Sequence, residues 1–186
     1  WQLCGTNGVT SWVMNLYRDS TMMLKQIFGI SVLLVANSVF SAEIAIENNQ
    51  LRLAQPLVFE TQSEVLTTES QASINDIKTF LDKKSYISTL RIEGHVSSFD
   101  DEQKNLLLSA ERALSVAKAL VEVGVDCQRL LTVAFGSSKP TAANTTPEGR
   151  VANSRIELVI AALRGKAIGG MPLEGVGQPL GDACAK

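Results

Sequence analysis

Apolar residues recur with helical spacing in two segments of the chain. Ile74, Ile77 and Leu81 lie three and four residues apart, which predicts an amphipathic helix from about Thr67–Ser70 to Lys83–Lys84. A second helix is predicted further along, ending at Gly124, because glycine commonly terminates helices. The buried stripe of this second helix is Leu106, Ala110, Ala113, Ala117 and Leu120.

Four other segments have the pattern of strands. Leu57–Phe59 is short and apolar, and Leu130–Phe135 is almost wholly apolar, which favours a central position. Leu90–Gly94 and Arg155–Ile160 alternate with period two, as strands with one wet face do. The order β-α-β-α-β-β predicts a small α/β domain with parallel strands joined by right-handed crossovers. Residues 137–152 are interpreted as a long loop.

The first 42 residues differ from the rest. Residues 23–42 have one lysine, a short apolar run and small residues before Glu43, which predicts a secretory signal peptide. The alternatives are a buried helix and an uncleaved anchor. Residues 1–22 are interpreted as an upstream, non-native segment, residues 43–160 as the domain, and residues 161–186 as a Gly/Pro-rich tail expected to be irregular and loosely packed.

Composition excludes some functions. A net charge of −2 lacks the basic face that nucleic acid requires, so no nucleic-acid partner is expected. One histidine and three cysteines are too few for a four-ligand zinc site, and no metal or cofactor is expected. Once the leader with Cys4 is removed, Cys127 and Cys184 remain in an exported compartment, where we expect them to form a disulfide; two free thiols are the alternative.

Two motif segments carry a resemblance to a known family. The first is Arg-Ile-Glu-Gly-His at 91–95, followed by Asn105 and by Leu-Ser-Ala-Glu-Arg-Ala at 108–113. The second is Gly-Ser-Ser-Lys-Pro at 136–140, followed by Asn144, Gly149–Arg150 and the run 153–158. From about Leu57 to Ile160 the chain resembles the OmpA-like C-terminal domain, the peptidoglycan-binding module of outer-membrane porins, lipoproteins and flagellar stators. The resemblance implies an α+β sandwich, a mixed sheet with its helices packed on one face.

The resemblance also implies a function. Members of the family hold the diaminopimelate residue of the peptidoglycan stem without covalent chemistry, through an arginine and an aspartate. Arg112 matches the arginine, and a guanidinium suits a carboxylate because it donates two parallel hydrogen bonds. The alternative is an exposed helix arginine paired with Glu111 or Asp101.

Ser97 departs from the family pattern at the position of the aspartate. A serine accepts a hydrogen bond but supplies no charge for the ligand's ammonium group. One of the acids in Asp100–Glu102 could compensate; alternatively these acids are solvated loop and first-turn helix charges. The second functional hypothesis is therefore a structural or partner-binding protein with a degenerate ligand site.

The remaining candidate ligand-binding residues follow from the same motifs. They are His95, Asn105, Asn144, Arg150, Asn153 and Arg155. Capping by Asn105 and turn formation at Asn144 and Gly149 are the structural alternatives. No catalytic residue is predicted, since no second histidine and no G-x-S-x-G motif is present. We expect a periplasmic, non-catalytic protein associated with the outer membrane, with peptidoglycan and outer-membrane or envelope-complex proteins as partners.

Overall fold

The computed structural model describes residues 44–98, 101–168, 178–179 and 181–185. The chain divides into two units, Trp1–Phe40 and Ser41–Lys186, and every described residue belongs to the second. The predicted signal peptide and upstream segment lie outside the described residues. Within the described ranges, none of the helices is a candidate membrane span.

Both predicted helices form. Helix α1 is Ser70–Lys83 and helix α2 is Glu102–Glu122. The predicted stripe of α1 is buried, with Ile77 fully inaccessible. Gly124 has a φ of +98° just after α2, a conformation that favours glycine and ends the helix as expected.

Seven strands of the described part of the chain form one sheet. They are β1 (Ala45–Glu47), β2 (Gln50–Arg52), β3 (Ile87–His95), β4 (Leu130–Gly136), β5 (Arg155–Leu163), β6 (Lys166–Ala167) and β7 (Gln178–Pro179). The strand order is β1-β2-β5-β3-β4-β7, with β6 paired to β5. Strands β3 and β4 are parallel, whereas β3 and β5 are antiparallel, so the sheet is mixed. The central strand is β3, and β4 lies one position further out.

The core lies between α1, α2 and one face of this sheet. Leu90 and Ile92 of β3 and Leu158 and Ile160 of β5 point into the same apolar cluster as the buried stripes of the helices. These four side chains are at most 4% exposed. The arrangement confirms the α+β fold with helices packed on one face of a mixed sheet.

Three local elements differ from the sequence-based prediction. The segment Leu57–Phe59 contributes only a single bridge, from Phe59 to Leu66. The unpredicted β1–β2 hairpin turns through Asn48 and Asn49, whose positive φ values of 51° and 63° suit a two-residue turn. A short helix, α3 (Pro147–Asn153), lies inside the predicted loop; Thr146 caps it by accepting a hydrogen bond from the Gly149 amide.

The described part of the tail is not loosely packed. Strand β7 pairs with the outer edge of β4, and Ala183 is buried in the core. The predicted disulfide between Cys127 and Cys184 is present, with a Cα–Cα distance of 5.2 Å. The expectation of loose packing was therefore wrong for these residues, because strand pairing attaches them to β4 and the disulfide attaches them to the short helical turn before it.

Candidate functional site

Arg112 lies on α2 and is 9% exposed. Its Nε donates a hydrogen bond to the Ser63 carbonyl at 2.8 Å, and its Cζ lies 5.0 Å from the centroid of the Phe59 ring. The loop that supplies both contacts is held by its own backbone bonds, from the Glu60 amide to the Val65 carbonyl at 2.9 Å and from the Ser63 amide to the Glu60 carbonyl at 3.2 Å. A rigid loop therefore fixes one edge and one face of the guanidinium.

Arg112 forms no ion pair with a carboxylate of the described residues, although the charge of Glu64 acts on it. Burial lowers the pKa of Arg112 and the charge of Glu64 opposes this shift, but an arginine remains protonated at neutral pH. Within the described part of the chain, no carboxylate forms an ion pair with it, and no acceptor is bonded to its Nη nitrogens. The sequence-based alternative, pairing with Glu111 or Asp101, does not occur. A buried cation of this kind is suited to binding an external anion.

Ser97 lies just beyond β3 and is 4% exposed. Its backbone amide donates to the Ser154 Oγ at 3.1 Å, which attaches the end of β3 to the junction between α3 and β5. The approach of β3 to α2 depends on Gly94, since a Cβ built there would lie 2.0 Å from the Ser109 carbonyl oxygen. Ser109 is one helical turn before Arg112, so the end of β3 is held beside the part of α2 that carries the arginine.

Asp101, directly before α2, has a helix-capping role. Asp101 is the N-cap, and its Oδ1 accepts from the Lys104 amide at 2.9 Å. Asn105 is 1% exposed and lies in the first turn of the helix. The alternative that Asn105 caps the helix is therefore wrong. Asp100 lies outside the described residues. The capping geometry supports the interpretation of Asp101 as a first-turn helix charge.

Asn153 braces the loop before α3. Its Oδ1 accepts from the Thr141 and Ala142 amides at 2.7 and 3.0 Å, and from the Thr141 Oγ1 at 3.2 Å. Its Nδ2 donates to the Ala142 carbonyl at 2.7 Å and to the Asn144 Oδ1 at 2.8 Å. Arg150 adds a bond from its Nη1 to the Asn144 carbonyl at 3.0 Å. The structure thus brings together Asn144, Arg150 and Asn153. Their hydrogen bonds hold the conformation of the loop before α3.

Arg155 and His95 lie opposite each other on β5 and β3, on the face of the sheet away from the helices. Arg155 donates from Nε to Glu157 at 2.6 Å. The His95 ring stacks on Phe135, with 5.1 Å between centroids and 3° between planes. Burial raises the pKa of the neighbouring Glu93, but contact with His95 and the charge of Arg91 outweigh burial and lower it overall.

Sequence reasoning missed several residues of this site. Arg112 contacts Phe59 and Ser63, and Ser97 contacts Ser154. These partners lie 49 to 57 residues apart in the sequence, so no local sequence pattern predicts the contacts. The polar alternation of Arg91, Glu93 and His95 was visible in the sequence.

The sequence is similar to those of known proteins. The OmpA family model matches residues 58–154. The chain is 31% identical over 118 residues to the probable lipoprotein YiaD of Escherichia coli, covering 63% of this chain and 53% of that protein. It is 45% identical over 69 residues to the peptidoglycan-binding protein ArfA of Mycobacterium tuberculosis, covering 37% of this chain and 21% of ArfA. The chain thus spans about half, or less, of the length of these relatives.

A solved structure is similar as well. The peptidoglycan-associated lipoprotein from Burkholderia pseudomallei superposes with a TM-score of 0.53 at 26% identity, covering 57% of this chain and 91% of that one. The region that the family model matches contains α1, α2, β3, β4 and α3, and with them Arg112 and Ser97. On this evidence the chain belongs to the OmpA family.

Proposed function

We propose that this protein is a non-catalytic periplasmic module that binds the peptide stems of peptidoglycan and so attaches an envelope component to the cell wall. The observation that carries the proposal is Arg112, a buried guanidinium that forms no ion pair with any carboxylate of the described residues. Stem peptides of the wall carry free carboxylates, which a guanidinium binds through paired, charge-assisted hydrogen bonds. Two relatives support the proposal: one is named a peptidoglycan-binding protein and the other a peptidoglycan-associated lipoprotein.

The ligand proposed is the diaminopimelate residue of the stem. Arg112 would hold its carboxylate, while Phe59 and the Ser63 carbonyl keep the guanidinium in place. Asn153, Asn144 and Arg150 would support a second loop beside the site through the bonds described above. We propose export by the segment at 23–42 and association with the outer membrane, in line with a relative that is named an outer-membrane lipoprotein.

The test is retention on purified diaminopimelate-type sacculi. Arg112→Ala should weaken binding about 10- to 100-fold, the value of a charged hydrogen-bonding pair. Lys118→Ala is the matched control, since it removes one positive charge from an exposed position of the same helix and should leave retention unchanged. Equal retention of the wild type and a folded Arg112→Ala variant would contradict the proposed site.

A second candidate function rests on Ser97. This buried, neutral residue stands where the family pattern has an aspartate, so the ammonium group of the ligand would lack its charged partner. On this view the protein keeps the fold for a structural or partner-binding role. Ser97→Asp separates the two functions: a large gain in wall binding over a weak wild type supports the degenerate site, and tight binding by the wild type rejects it.

A further inference from the structure

The face of the sheet away from the helices carries charged residues in the C-terminal half of β3. Leu90 and Ile92 point into the core, so Arg91, Glu93 and His95 lie on the opposite face by strand alternation. Glu93 and His95 are 4% and 2% exposed. A buried carboxylate and a buried imidazole are unusual unless each has a partner.

Strand β5 places a second carboxylate beside the first. Glu157 lies directly opposite Glu93 in the β3–β5 register, and like charges in this arrangement repel each other. Each carboxylate bonds through its Oε1 to an arginine on its own strand, Glu93 to the Arg91 Nε and Glu157 to the Arg155 Nε, both at 2.6 Å. The second oxygen of each carboxylate is not used in these pairs.

His95 adds a nitrogen donor to the two carboxylates. Neither of its ring nitrogens has a hydrogen-bond partner among the described residues. The Nε2 lies 3.7 Å from the Glu93 Oε2, too far for a hydrogen bond, while the stacking on Phe135 fixes the plane of the ring. Leaving a buried polar nitrogen without a partner costs free energy, so the position calls for a group that an imidazole nitrogen can bind.

We propose that Glu93, His95 and Glu157 form a binding site for a divalent transition-metal ion, with Zn²⁺ the ion that fits best. One donor atom from each residue lies within 4.8 Å of the other two. Zinc binds imidazole nitrogen and carboxylate oxygen at about 2.0–2.2 Å, so the carboxylates need only small side-chain rotations to close on it. Three protein donors leave a fourth position for water or an external ligand.

The surrounding residues suit this role. Arg91 and Arg155 each bond to one oxygen of a carboxylate and hold it in place, as hydrogen-bonded neighbours of metal ligands commonly do. The imidazole donor favours zinc and similar ions over Mg²⁺ and Ca²⁺, which prefer oxygen ligands alone. Counting only histidine and cysteine, as the sequence argument did, overlooked these glutamates. Arg112, on which the proposed wall binding rests, takes no part in this site.

The experiment is a Zn²⁺ titration of the full chain, purified without a histidine tag and carrying Cys4→Ser so that this thiol contributes nothing. After treatment with a chelator, Zn²⁺ binding is measured by competition with a chromogenic chelator. We expect one equivalent per chain, undiminished by a large excess of Mg²⁺ or Ca²⁺. Zinc should also raise the melting temperature, because it binds the folded state in preference to the unfolded one.

Two variants and one control make the result specific. His95→Gln and Glu157→Gln should each weaken Zn²⁺ binding at least about tenfold and abolish the rise in melting temperature. Glu157 is 26% exposed, so its variant remains informative even if His95→Gln fails to fold. Glu122→Gln removes the same charge from an exposed position on α2 and should bind like the wild type. Absence of binding by the folded wild type, or unchanged binding by Glu157→Gln, overturns the proposal.

Discussion

Replacing Asn153 with alanine tests whether this residue braces the loop before α3. The side chain is 1% exposed and makes five hydrogen bonds, three as acceptor and two as donor. Alanine removes all five and leaves two backbone amides and one backbone carbonyl of the loop without their partner.

The magnitude follows from the bonds. A neutral hydrogen bond contributes about 0.5–1.5 kcal/mol net, which gives about 2.5–7.5 kcal/mol for five independent bonds. Thr141 is exposed and Ala142 is half-buried, so water replaces part of what is lost. We therefore expect Asn153→Ala to lower the free energy of unfolding by about 2–3 kcal/mol.

The assay is urea unfolding of the full chain, followed by circular dichroism, with the disulfide intact. Asn144→Ala is the matched control, because it loses one side-chain bond of the same network and should cost about 1 kcal/mol or less. Asn153→Asp keeps the acceptor oxygens and loses the Nδ2 donor, so it should fall between the two. A loss below about 1 kcal/mol for Asn153→Ala would refute the bracing role.

Three further predictions concern the packing of β3 on α2, the disulfide and the contact between Phe59 and Arg112. Gly94→Ala should destabilise the fold by about 1–3 kcal/mol or more in urea unfolding, because the new Cβ would overlap the Ser109 carbonyl. Cys184→Ser should cost about 4 kcal/mol, the chain-entropy value for a separation of 57 residues, and added reductant should then have no further effect on the urea midpoint. Phe59→Leu should weaken sacculus binding about two- to fivefold, since it removes the aromatic face under the guanidinium while keeping an apolar side chain; unchanged binding would argue against that contact.

The long elements were predictable because their signals are local. Apolar residues at helical spacing located α1, and the small-residue stripe and Gly124 located α2. The short elements were not: α3 contains Pro147 and Gly149, which favoured a loop, although threonine followed by proline is also a helix start. The strands of the β1–β2 hairpin are too short and too exposed to show a clear alternation of apolar and polar residues. Its one sequence signal is the Asn-Asn pair of the turn.

The candidate site was predictable only in part, for a physical reason. The family resemblance identified Arg112 and Ser97 in the sequence, but their contacts come from segments that folding brings together. The Ser63 carbonyl and the Phe59 ring belong to a loop with no motif, and a backbone carbonyl has no sequence signature at all. The sequence made Asn153 a candidate ligand-binding residue. In the structure, its side chain is engaged in hydrogen bonds to the loop before α3.

The central claim is that a carboxylate of the wall peptide binds at Arg112. The most direct measurement is sedimentation of the protein with purified sacculi over a range of free diaminopimelate concentrations. If the account is right, diaminopimelate releases the wild-type protein from the pellet in a dose-dependent manner, and the weak residual binding of Arg112→Ala does not respond. Binding to sacculi that diaminopimelate leaves unaltered at saturating concentration would contradict it.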